Sequence, residues 1–208
     1  MGNGNGQPEG SRLSNSGICW SNRQNIGDPW GLPWAYVLLM LHPPDDLTGP
    51  EDPSGLGDLA ELRRRLPHVL IEIRFYRANW YATDAVLLAR YIARYWAQIT
   101  PYTRHVCAWN EQNLASEGYP GGAHEDRVVP DIKCYQNMNA WNLQVIEELE
   151  RLCPDMIFHY GALSQGHSDD QKDTGTGYIA PGYVGLDILK PSLTHQFVRY
   201  VDAHIYWW

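Results

Sequence analysis

The chain has 208 residues, of which 44% are hydrophobic and 19% charged, with a formal net charge of −8. This apolar content can fill one sizeable core and excludes an intrinsically disordered chain. The acidic residues are dispersed, no basic stripe is present to neutralise phosphates, and no apolar run reaches the roughly 18 residues of a membrane-spanning helix, so neither nucleic acid nor a membrane is an expected partner.

Residues 1–14 are rich in Gly and Asn and are expected to be disordered, leaving residues 15–208 as one domain. The segment Ser16 to Ser21 is a weak candidate for a first strand. Trp34 to Leu41 is a continuous apolar run bounded by Pro33 and Pro43, the pattern of a strand buried on both faces of a parallel sheet. A Pro/Asp/Gly-rich loop leads to a short helix over Asp58 to Leu66, which Pro67 ends. In the strand His68 to Tyr76, Val69, Ile71 and Ile73 share one face while Leu70, Glu72, Arg74 and Tyr76 share the other. Thr83 is placed to cap a helix over Asp84 to Gln98, with a stripe of Leu87, Leu88, Tyr91, Ile92, Tyr95 and Trp96. The strand 105–111 follows, then a Gly-rich loop over 118–130 and a long helix over 131–152. Met156 to Leu163 reads as a fifth strand and 164–182 as a polar loop. After Pro191, Ser192 to Tyr200 is predicted as a helix, and Val201 to Tyr206 as a sixth strand with Asp202, His204 and Tyr206 on one face. Alternating strands and helices imply a parallel sheet with crossover connections.

The fourth strand ends in Trp109-Asn110-Glu111-Gln112-Asn113. If it runs regularly, His105, Cys107, Trp109 and Glu111 face one side, bringing a carboxylate beside an indole. This motif resembles the Trp-Asn-Glu-Pro-Asn sequence that closes strand four in clan A, the retaining glycoside hydrolases built on (β/α)8 barrels; Gln112 stands where the family has Pro. Asp202-Ala-His-Ile-Tyr206 resembles the family's sixth-strand element. The resemblance implies an α/β fold, an incomplete (β/α)8 TIM-type barrel of about six parallel strands. It further implies a glycosidase acting on a β-linked glycan or glycoside, with Glu111 as general acid/base, Asn110 as ligand of a sugar hydroxyl, and His204 and Tyr206 in the substrate site.

Hydrolysis with retention needs two carboxylates about 5 to 5.5 Å apart. Glu111 supplies one. Glu117 and Glu125 fall in the following loop and Glu72 lies deeper on strand three, so the chain is expected to be a barrel truncated before its nucleophile strand and inactive as it stands; a complete barrel takes about 250 residues. Arg74 inside a lumen requires a carboxylate, either Glu72 in a structural pair or the missing nucleophile. Trp80 after strand three is a candidate sugar-stacking platform, with buried packing as the competing role; the nine Trp and thirteen Tyr pose the same choice throughout the chain. A non-catalytic carbohydrate-binding barrel is the alternative function. A metal-dependent barrel hydrolase is a further one, but His42, His159, His167 and His204 form no close pair, so no metal and no cofactor are expected. Cys19, Cys107, Cys134 and Cys153 lack zinc-site spacing and are expected to be free, buried thiols. The N-terminal residues lack the apolar core of a signal peptide, and the chain is expected to be soluble. Sugar specificity, oligomeric state and location are open.

Overall fold

Apolar runs punctuated by Pro and Gly form the strands, and the stretches with apolar residues every three or four positions form the helices between them. The computed structural model describes residues 17–20, 36–77, 79–112, 132–161 and 182–202, with backbone alone for 17–20 and 182–185. In chain order the elements are β1 (Gly17–Trp20), β2 (Tyr36–Leu41), α1 (Asp58–Arg65), β3 (Leu70–Phe75), a 3-10 turn (Trp80–Ala82), α2 (Ala85–Ile99), β4 (His105–Cys107), α3 (Ile132–Leu152), β5 (Ile157–Tyr160), α4 (Gly182–Leu193) and β6 (Val198–Val201). The six strands form one sheet in sequential order, and each neighbouring pair is parallel. A helix lies in every connection from β2 onward. Sequential parallel strands joined through helices are the wall of a (β/α) barrel, so the α/β partial-barrel architecture expected from the sequence is the one observed.

The two faces of the sheet divide by residue parity. Val37, Leu39 and Leu41 of β2, Ile71, Ile73 and Phe75 of β3, Val106 of β4 and Phe158 and Tyr160 of β5 join the buried cluster that also holds the inner sides of the helices. From α2 come Leu88, Tyr91, Ile92, Tyr95 and Ile99; from α3 come Met138, Trp141, Val145, Ile146 and Leu149. Alternate residues, among them Tyr36, Glu72, Arg74, Cys107 and His159, point to the concave side.

Several boundaries differ from the sequence reading, each for a local reason. Asp84 caps α2, its Oδ1 accepting from the Leu87 amide at 2.7 Å, while the Thr83 hydroxyl donates to Asn79 O instead. Asn79 adopts φ 64° before the 3-10 turn, a left-handed conformation that Asn tolerates. Strand β4 ends at Cys107 rather than Glu111, because the Cys107 thiol turns to donate to Trp109 O at 3.0 Å and the chain leaves the ladder. Pro191 lies in the last turn of α4 and does not start a helix, and the predicted helix 192–200 is replaced by the end of α4 and by β6. A register shift between Phe158 and His159 brings Tyr200 opposite His159, so β6 begins three residues before the predicted strand. The expected disordered segment, the loops over 118–130 and most of 164–182, and His204 and Tyr206 lie outside the described residues. Cys107, Cys134 and Cys153 are free and buried, as expected; Cys19 falls where only backbone is described. No helix among the described residues is long and apolar enough to cross a membrane.

Candidate active site

The concave side of β2 to β6 carries a buried ionic cluster. Glu72 is fully buried and Arg74 is 2% exposed, a placement tolerable only if both charges are paired and hydrogen-bonded. Arg74 Nη2 lies 2.7 Å from Asp202 Oδ2 and 3.5 Å from Glu72 Oε1, and Arg74 Nη1 donates to Asn110 Oδ1 at 2.8 Å. The pairing of Arg74 with Glu72 is therefore present, but the shorter contact runs to Asp202. Glu72 also accepts from the Tyr36 hydroxyl across the β2–β3 pair.

His159, opposite Cys107 in the ladder, completes the charge balance. Its Nδ1 is 3.0 Å from both Asp202 Oδ1 and Glu72 Oε2. Burial opposes a charged imidazole, but the hydrogen bonds and charges of Asp202 and Glu72 prevail and raise its pKa to about 9. The Nε2 of His159 lies 2.9 Å from His105 Nδ1. A cationic His159 donates there, so His105 accepts at Nδ1 and carries its own proton on Nε2. Burial, and then the neighbouring His159, lower the pKa of His105 in agreement with a neutral ring. Asp202 is held below the usual carboxylate range: burial would raise it, and the His159 hydrogen bond with the Arg74 charge outweighs that. The carboxyl groups of Glu72 and Asp202 thus face the Arg74 guanidinium and the His159 imidazole. Tyr200 stacks on His159 with ring centroids 4.8 Å apart.

Glu72, Cys107 and Asp202 place one ligand atom each within 4.8 Å of one another, a spacing that could hold a metal ion. Arg74 already supplies the positive charge at that point. Burial also pushes the Cys107 thiol above its ordinary pKa, which disfavours the thiolate a metal requires. The arrangement suits an ion-pair network.

The Asn-Glu pair sits above this cluster, beyond the C-terminal end of β4. Asn110 is drawn to the concave side by Arg74, and its Nδ2 lies 3.5 Å from Glu111 Oε2. Glu111 is 8% exposed and has φ 20°, at the edge of a backbone region that L residues rarely occupy and that is enriched at functional sites. Trp109 takes the opposite direction from the one expected. It packs with Trp141, Phe158 and Tyr160 on the helix side, so the carboxylate and the indole lie on different faces. Gly161 makes this possible, since a Cβ there would fall 2.5 Å from Trp109 Cδ1 and 2.6 Å from its carbonyl oxygen.

Trp80 is 3% exposed, meets Trp141 edge-on, and donates from Nε1 to Gln112 O at 3.1 Å. A ring covered in this way offers no face to a sugar, so the stacking expectation gives way to packing, and Trp80 anchors the residue after Glu111. Glu117, Glu125, His204 and Tyr206 are outside the described residues. The sequence reading did not single out Asp202 and His159 as site residues, although the inward parity of Arg74 demanded a carboxylate and Asp202 lay in a recognised motif.

No family model matches the chain, and no curated protein matches it. Among solved structures it is similar to a family 1 β-glucosidase from Thermotoga maritima, with 13% identity over 65% of this chain and 35% of that one and a TM-score of 0.45. A β-glucosidase from Thermotoga maritima in complex with castanospermine gives 12% identity, 72% and 38% coverage and a TM-score of 0.47. The virulence factor SghA from Agrobacterium tumefaciens gives 15% identity, 71% and 37% coverage and a TM-score of 0.48. The chain spans 35% to 38% of the length of these proteins.

Proposed function

We propose that this chain carries the acid/base half of a retaining glycoside hydrolase site acting on a β-linked glycan or glycoside, with Glu111 as general acid/base and Asn110 as ligand of a sugar hydroxyl. The observation that supports this most is the position of the Asn-Glu pair: beyond the C-terminal end of β4 in a sequential parallel sheet, with Asn110 tied to the concave side by Arg74 at 2.8 Å. Arg74 and Asp202 serve as the structural base beneath that pair. Because Glu72 and Asp202 are both committed to Arg74 and His159, neither is a nucleophile, and retention requires a further carboxylate. The same commitment favours a second reading, a carbohydrate-binding barrel without turnover.

The test uses aryl β-glycosides. The 208-residue chain should turn them over at near-background rates. In a polypeptide extended by a strand ending in a Glu nucleophile, Glu111→Gln should slow hydrolysis about 10²- to 10⁴-fold for poor leaving groups and far less for activated ones, with partial rescue by azide. Turnover by the extended enzyme that is indifferent to Glu111→Gln on every substrate would leave the binding-module reading in front.

A further inference from the structure

The geometry points to Asp202 as a positioning residue that acts through Arg74 to lock the Asn110 amide in one orientation, with Nδ2 toward Glu111. This deepens the glycosidase reading and rests on it only for the identity of the ligand.

A guanidinium can only donate hydrogen bonds, so the Asn110 atom 2.8 Å from Arg74 Nη1 must be the carbonyl oxygen. The NH2 end of the amide is thereby turned to the Glu111 side, where Nδ2 lies 3.5 Å from Oε2. Asn110 therefore turns its donor end toward Glu111. Arg74 is itself fixed from the other end. Its Nη2 is held by Asp202 Oδ2 at 2.7 Å, and the second oxygen of Asp202 is held by His159 at 3.0 Å. The train runs His159, Asp202, Arg74, Asn110, and it links β5, the residue after β6, β3 and the third residue past β4. Arg74 is oriented by a carboxylate already in the fold, which removes the need for a nucleophile to hold it.

The experiment follows the carbon-13 shift of Asn110 Cγ, which does not depend on exchange-prone protons. Asp202→Asn should move this shift in a chain that remains folded, whereas Tyr91→Phe, which removes a hydrogen bond to Glu51 O on the helix side of the sheet, should leave it unmoved. A second arm uses the unaltered chain. As pH rises and His159 loses its proton, Asp202 loses a charged partner, and the Asn110 Cγ signal should shift with the same midpoint as the His159 ring. The groups around His159 are Glu72 and Arg74 on β3, His105 and Cys107 on β4, Tyr200 on β6 and Asp202 just beyond it, with Tyr36 on β2 bonded to Glu72. Of these, burial pushes Tyr36 and Cys107 above that range, and burial with His159 lowers His105. If Asp202→Asn does not fold, this arm decides alone. An Asn110 Cγ signal unmoved across the His159 titration, or unmoved in folded Asp202→Asn, overturns the proposal.

Binding of deoxynojirimycin separates the two readings. Asp202→Asn should weaken it about tenfold, the worth of one misplaced hydrogen bond. If the spectral coupling holds while the extended polypeptide neither binds deoxynojirimycin nor responds to Glu111→Gln, the positioning role stands and the glycosidase reading fails.

Discussion

Ile73 and Arg74 are adjacent in β3, both at most 2% exposed, and they inhabit opposite chemistries. Ile73 belongs to the apolar side of the sheet, where contacts are many, individually weak and tolerant of exchange. Arg74 belongs to the concave side, where stability depends on a few polar partners, the carboxyl groups of Glu72 and Asp202 and the amide of Asn110. Burial alone says little about what a position requires. The apolar face asks for volume, and the ionic face asks for a complete set of partners.

The sharpest way to break this comparison is Arg74→Met, which keeps much of the volume and removes the charge. It leaves Glu72 and Asp202 facing His159 alone, and urea unfolding should register a loss of about 3–5 kcal/mol, the range for breaking a buried ion pair from one side. A loss no greater than that of Ile73→Val, about 0.5–1.5 kcal/mol, would mean that the cluster is optional.

The next effect is a pH dependence. His159 has a folded pKa raised to about 9, so its contribution is fully present below its ordinary value of about 6.5 and fades as pH climbs through 9. Asp202 is shifted the other way; its contribution is present above the ordinary carboxylate value and is lost as pH falls through its lowered one. Urea midpoints should therefore be highest between about pH 4 and 6.5 and decline toward both ends. His159→Gln should flatten the alkaline limb. A wild-type alkaline limb already flat would place His159 neutral in the fold. The smallest effect belongs to the apolar face, where Ile73→Val should cost about 0.5–1.5 kcal/mol with no change in pH profile.

The same division decided what the sequence disclosed. The apolar face was legible because periodicity reports it: Ile71, Ile73 and the α2 residues Leu88, Tyr91, Ile92, Tyr95 and Trp96 lie where their spacing puts them, with Leu87 at the edge of the core. Parity also put Glu72 and Arg74 on the concave side. Partnership was not legible, because Arg74 meets Asp202 across 128 residues and through strands whose register only the fold sets. Trp109 was misassigned for a more local reason. Parity extends only as far as the ladder, and β4 stops at Cys107, two residues too soon to fix Trp109 by counting. The C-terminal region was misread because Pro191 suits a first helical turn by propensity, while its place in α4 is settled by packing, with Leu189 and Ser192 buried on either side of it.

Gly161 ties the end of β5 to the end of β4 in a way that reaches beyond this molecule. Any side chain at 161 would meet Trp109 at 2.5 to 2.8 Å, with the backbone carbonyl among the atoms struck, so a larger residue there cannot be absorbed by a rotamer change alone. Because the carbonyl is struck whatever side chain stands at 109, glycine at 161 is required by the backbone of the turn that carries Asn110 and Glu111. A glycine some fifty residues after the Asn-Glu dipeptide is thus the mark by which a chain sharing this turn can be told from one that merely contains the dipeptide.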